Sequence, residues 1–240
     1  MPSTARTFLL RPGQFFERRV DALGGVRAAG LAGLVSVLTT LVLAAVLRAF
    51  TQQFGGTVTV DNPAYPGEVF CEDGGVAGTT PRGCSEPETV QREISALLWQ
   101  AVTDLLPWLV IGLVVVWVGL GVALYVGAWL AGGSGSVGAT LEVTAWGLVP
   151  TLVSSVVAGA TLVAFASGAD LSGGGSAALL SEVRALQAGV SGLVLLAIQL
   201  GGAAWQAYVW TGGLRVVHGL GRGTAAVIAG LVAVVPVLLS

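Results

Sequence analysis

Lysine is absent from this 240-residue chain, histidine and methionine occur once each, and cysteine occurs twice. Charged residues make up only 10% of the sequence and nearly cancel, leaving a formal net charge of -2. One histidine cannot build an imidazole metal set, and two cysteines without a second pair do not make a zinc site. No metal, cofactor or catalytic set is therefore expected. So weak a charge excess also provides no basic surface for nucleic acid. Ser134 and Ser136 have no neighbouring base, and Gly219-Leu220-Gly221-Arg222-Gly223-Thr224 lacks the strand and lysine of a phosphate-binding loop. The opening ten residues contain no apolar run long enough for a cleavable leader before Arg11, Pro12 and Gly13 interrupt it.

What is abundant is apolar surface. Hydrophobic residues account for 54% of the chain, and the mean hydropathy is +0.84, values that argue against a soluble domain. Pro107–Ala131 and Val143–Ala166 each carry no charged side chain, and residues 132–142 join them through a Gly/Ser turn. Each run is long enough to cross a hydrocarbon core of about 30 Å at about 1.5 Å per residue. Two spans joined so closely must run antiparallel. Residues 28–47, 190–209 and 224–239 supply three further spans, the last of them short. The expected fold is all-α, a polytopic transmembrane helical bundle with five spans. Residues 28–240 form the membrane domain, including a loop at 48–106, and residues 1–27 precede it.

Charge distribution orients this bundle. Arg6, Arg11, Arg18, Arg19, Arg27, Arg215 and Arg222 fall on one side, against Arg48, Arg82, Arg92 and Arg184 in the longer segments of the other. Arginine retained in the cytoplasm places the amino terminus inside and the carboxyl terminus outside. Trp129, Trp146, Tyr208 and Trp210 at the inner ends, with Trp99 and Trp108 at the outer end, suit interfacial aromatic belts. Trp117 and Trp205 lie deeper and read as packing residues. The localisation is the cell membrane, multi-pass.

Several local expectations follow. Arg11–Arg27 suits a short interfacial helix with Phe16, Val20 and Leu23 on one face. Thr57-Val58-Thr59-Val60 reads as a strand, while Ser85 and Glu88 suit the start of a helix. Pro107 either bends the second span or lies within it, and Pro150 invites a kink in the third. A peripheral helix is expected over Ala177–Gly189. Cys71 and Cys84, in the acidic outer loop, suit a disulfide.

Candidate interaction residues are chosen by depth and side-chain size. Gly119, Ala123, Gly127 and Ala131 recur every four residues; Ser155 with Gly159, and Ala197 with Gly201, repeat that spacing. Small residues at this interval let helix backbones approach in lipid. Gln199 and Gln206 are polar groups within the fourth span, which suits hydrogen bonding between helices or the lining of a permeation route. Glu142, near the start of the third span, suits stabilisation by its own helix dipole. Arg215, His218 and Arg222 form a basic turn suited to lipid headgroups or a partner protein.

The Leu9-Leu10-Arg11-Pro12-Gly13-Gln14-Phe15-Phe16 opening, the Tyr125–Pro150 tract with its Gly132-Gly133 turn, and Arg215-Val216-Val217-His218-Gly219-Leu220 together resemble the prokaryotic branch of the YIP family of Ypt/Rab-interacting membrane proteins. The absence of lysine and the acidic loop resemble proteins of halophilic archaea. The resemblance implies a five-span fold with a cytoplasmic amino terminus. Eukaryotic relatives associate with small GTPases in vesicle trafficking, but their amino-terminal Asp-Leu-Tyr-Gly-Pro run has no counterpart here, so that partner is not carried over. The expected role is a non-enzymatic membrane organiser that contacts membrane lipids, a membrane protein partner or a second copy of itself. The alternative is a small transporter or permeation subunit.

Overall fold

A computed structural model describes residues 4–52, 55–71, 82–167 and 190–238. Its elements are α1 (Thr4–Leu10), α2 (Pro12–Glu17), a 3-10 turn (Val20–Ala22), α3 (Gly25–Thr51), β1 (Thr57–Asp61), α4 (Glu68–Cys71), β2 (Thr89–Glu93), α5 (Ile94–Leu130), α6 (Val137–Ala166), α7 (Val190–His218) and α8 (Arg222–Leu238). The peripheral helix expected over 177–189 lies outside the described residues. Among the described residues four helices are long and apolar enough to cross a bilayer: Gly25–Thr51, Ile94–Leu130, Val137–Phe165 and Gly192–His218. Arg222–Leu238 is apolar but, at 17 residues, spans only about 25 Å.

Turn chemistry explains how these long helices are stacked. α5 ends in a Schellman arrangement: the Gly133 amide donates to Ala128 O at 2.9 Å and the Gly132 amide to Trp129 O at 3.0 Å. Gly132 occupies the left-handed region at φ +85°, where a side chain would be strained. Ser136 then caps α6 by accepting from the Ala139 amide at 3.3 Å. Helix restarts within a few residues, so α5 and α6 must run side by side in opposite directions. The α7–α8 turn likewise has a glycine in the left-handed region, Gly219 at φ +68°.

Packing inverts the pattern of a soluble helix. In α8, Ala225, Ala229 and Ala233 face the bundle and are almost wholly buried, while Leu231 on the opposite side is 70% exposed. Lipid solvates the larger apolar groups, and small residues bring backbones together. The same close approach recurs elsewhere: Cβ atoms built at Gly121, Gly127 and Gly159 would collide with Leu141, Ile228 and Val46. Trp210, Leu214, Leu124 and Val143 fill the centre of the core, joined by Phe8, Phe15 and Phe16 from the amino terminus.

Several sequence expectations change here. Ser85 does not start a helix; Thr89–Glu93 instead pairs antiparallel with Thr57–Asp61, Val60 opposite Val90. The β-branched residues at 57–60 acquire a partner across the loop, and that ladder delays the helix to Ile94. In contrast, α5 continues through Pro107, one of the two courses expected for it. α1 and α2 do not form a surface helix: Phe8, Phe15 and Phe16 are buried, and Phe15 packs edge-on against Trp146 with centroids 4.8 Å apart. Trp146 is therefore held in an aromatic cluster, and Trp210 is completely buried, so neither belongs to an interfacial belt.

Candidate functional site at the hairpin end of the bundle

The α5–α6 turn, the start of α3 and the α7–α8 turn meet at one end of the bundle, beneath α1 and α2. His218, the last residue of α7, ties two of these turns together. The Gly135 amide donates to its Nδ1 at 3.1 Å, and its Nε2 lies 2.8 Å from Thr140 Oγ1. The Ser134 amide donates to the His218 carbonyl at 3.4 Å. The side chain is 3% exposed. This corrects the grouping of His218 with a surface basic turn: its ring is an internal strut, while Arg215 and Arg222 remain exposed.

Glu142 also has a different role from the expected one. α6 begins at Val137, so Glu142 lies beyond its first turn. Its Oε2 accepts from the Gly24 amide at 2.7 Å, and Gly24 is the N-cap position of α3. The carboxylate thus complements the positive end of a neighbouring helix rather than its own. A Cβ at Gly138 would lie 3.2 Å from the Gly25 nitrogen, so the small residue permits this seating.

The opening motif docks on α7. Tyr208 Oη donates to the Leu10 carbonyl at 2.8 Å. At Gly212, an added Cβ would approach the Gly13 nitrogen to 2.7 Å, so only glycine admits the Pro12-Gly13 backbone there. Arg19 lies over the Phe15 ring at 4.2 Å and over the Trp146 ring of α6 at 5.5 Å, so the cation–π contact with Trp146 links the end of α2 to the bundle. Between α2, α7 and α8 this docking leaves a crevice of about 590 Å³ lined by Arg11, Gln14, Glu17, Tyr208, Arg215 and Arg222, among others. Three arginines from separate parts of the chain thus border one concavity, with a single carboxylate, Glu17, beside them among the described residues.

The other candidate residues separate into distinct surroundings. Gly127 meets Ile228 of α8 and Gly159 meets Val46 of α3, whereas Gly119, Ala123 and Ala131 are exposed. The face of α5 that packs within the chain instead carries Trp117, Gly121, Leu124 and Ala128. Ser155 is half-buried and donates to the Thr151 carbonyl at 2.9 Å. Ala197 and Gly201 are exposed, while the adjacent Gly202 abuts Ser154. Gln199 and Gln206 border a second cavity, midway along the bundle. Cys71 and Cys84 are joined as a disulfide, with Cα atoms 5.5 Å apart. Sequence reasoning missed the His218 and Glu142 contacts and the Ala225-Ala229-Ala233 face. The last was legible as a repeat of small residues every four positions.

Among the described residues no group of three or more His, Cys, Asp and Glu side chains converges as a metal site. The long apolar helices define a multi-pass membrane protein. The chain belongs to the Yip1 domain family, which matches it over residues 6–240. No curated protein and no solved structure matches it.

Proposed function

We propose that the protein is a non-enzymatic organiser of the cell membrane, with five spans, a cytoplasmic amino terminus and an anionic-lipid site at its hairpin end. The supporting observation is the crevice that brings Arg11, Arg215 and Arg222 together. Arginine presents a planar fork of donors suited to phosphate oxygens. Arg222 also opens α8, where the helix dipole opposes a cation, so a bound phosphate relieves an unfavourable charge. The placement of arginine favours this end as the cytoplasmic one, where anionic headgroups attract it. The exposed Gly119, Ala123 and Ala131 leave a face of α5 for a second copy or another membrane protein. The missing Asp-Leu-Tyr-Gly-Pro run leaves small GTPases outside the proposal.

Native mass spectrometry with phosphatidylglycerol and phosphatidylcholine tests the lipid site. Phosphatidylglycerol is expected to be retained in preference, and the triple variant Arg11→Gln, Arg215→Gln, Arg222→Gln to lose that preference by at least about tenfold. Equal retention of both lipids by the unaltered protein counts against the reading. After reduction, Cys71 and Cys84 should react with an impermeant thiol reagent on intact cells; labelling only after permeabilisation reverses the orientation. The second reading, a permeation subunit, is favoured by Gln199 and Gln206 beside the midway cavity. Proteoliposome solute flux abolished by replacing both glutamines supports it.

A further inference from the structure

We propose that the midway cavity between α3, α5, α6, α7 and α8 binds an uncharged lipid-like amphiphile, a hydroxyl-bearing aliphatic molecule, that enters from the side of the bundle. The cavity measures about 360 Å³. Its deep wall includes Ser36, Gln206 and Ala233, with exposures of 2%, 6% and 2%. Its rim includes Val116, which is 50% exposed at mid-helix. In a bilayer such a rim faces acyl chains, so the cavity opens toward lipid.

The polar inventory selects the ligand. Ser36 Oγ is buried and has no hydrogen-bond partner, although a serine in a helix can ordinarily bond back to its own backbone. An orphaned hydroxyl in an apolar setting is costly. Gln206 adds a buried carboxamide, which offers both donors and an acceptor, and Thr39 and Thr151 add hydroxyls. Among the described residues no charged side chain lines the cavity. A carboxylate or ammonium group would be desolvated there without a counter-ion, whereas a neutral hydroxyl can donate and accept at little cost. Leu113, Leu120, Leu148 and Ile198 give the cavity apolar walls for the remainder of the molecule. Helix-bundle interiors commonly house ligands with this combination of an apolar body and a few fixed polar contacts. This inference is independent of the arginine crevice, which lies at the end of the bundle.

The test uses the full chain in nanodiscs with three photoreactive probes that share one diazirine-bearing C16 chain: the alcohol, the carboxylic acid and the hydrocarbon. The alcohol is expected to label residues of α5 and α7 lining the cavity about tenfold more than either analogue, as one or two well-placed hydrogen bonds allow. Gln206→Leu should remove most of that advantage. Ala203→Phe should block labelling by occupying the cavity. Val116→Trp, at the exposed rim, serves the same purpose with no core residue altered, should Ala203→Phe fail to fold. Equal labelling by all three probes, or alcohol labelling unchanged in Val116→Trp, overturns the proposal.

Discussion

The Gly135 amide donates to Nδ1 of His218 across 3.1 Å, joining the turn between α5 and α6 to the last residue of α7. With Nδ1 an acceptor, the neutral ring carries its proton on Nε2 and donates to Thr140 Oγ1 at 2.8 Å. The threonine hydroxyl in turn donates to the Ser136 carbonyl at 2.9 Å. The network fixes both the tautomer and the approach of two hairpins. Nitrogen-15 NMR of the histidine ring should report the Nε2–H tautomer; an Nδ1–H spectrum contradicts the assignment.

The turn glycines should differ in what they tolerate. A Cβ at Gly135 would come within 2.6 Å of the Val217 carbonyl oxygen, so Gly135→Ala forces the two hairpins apart and is expected to cost about 1–3 kcal/mol. At Gly132 nothing lies within 4 Å of an added Cβ and only the positive φ resists substitution, so Gly132→Ala should cost about 1 kcal/mol. Thermal unfolding of the two variants in one detergent, alongside the unaltered chain, orders the costs.

Glu142 should act as a cap on α3. Replacing it with alanine leaves the Gly24 amide without the acceptor it has at 2.7 Å, at an expected cost of about 1–3 kcal/mol. Glu142→Gln keeps an oxygen acceptor but not the charge, and should lie between the two. Hydrogen exchange read on a peptide covering residues 20–30 should accelerate most in the alanine variant. Unchanged protection in that variant removes the capping role.

Gly147 sits beneath the indole of Trp210, which is wholly buried and donates from Nε1 to the Thr144 carbonyl at 3.3 Å. Trp210→Ala should cost about 3–5 kcal/mol through the cavity it creates. Gly147→Val should also be destabilising, by displacing the same ring. In contrast, Gly119 has nothing within 4 Å of an added Cβ, so Gly119→Ala should leave the isolated chain at least as stable. Comparison of melting temperatures with in-membrane crosslinking separates the roles: if Gly119 belongs to an interface between copies, crosslinking falls while the melting temperature does not.

The Cys71–Cys84 disulfide closes a loop between β1 and β2, outside the helices that form the core. A cross-link over a loop of this size restricts the unfolded chain by about 3 kcal/mol in the entropic description. Replacing both cysteines with serine should therefore increase protease cleavage between residues 62 and 88. It should leave the protection of α6 and α7 unchanged, a pattern read by limited proteolysis and mass spectrometry.

The long apolar segments were legible because a bilayer sets a length requirement that few other environments impose. The turn at Gly132-Gly133 was equally legible, since a positive φ and a helix end call for glycine. The faces of the helices were not. In Pro107–Ala131 nearly every residue is apolar, so composition cannot distinguish the side that meets α6 from the side that meets lipid. Spacing alone draws the small-residue stripe through Gly119 and Ala123, while within the chain the structure turns Gly121, Leu124 and Ala128 inward. Sequence separation concealed the candidate site for a different reason: Arg11 and Arg222 share a crevice only after α1 and α2 fold back onto α7.

The sequence by itself determined a membrane-embedded helical chain, because uncharged runs of this length are stable only where their backbone is hydrogen-bonded internally and their side chains are out of water. Tertiary structure decided what the scarce polar residues do. It made His218 a buried strut, turned Glu142 toward the start of another helix, and gathered arginines from both ends of the chain. Those outcomes depend on which backbones come close, a matter of glycine and alanine contacts between helices that no local pattern encodes.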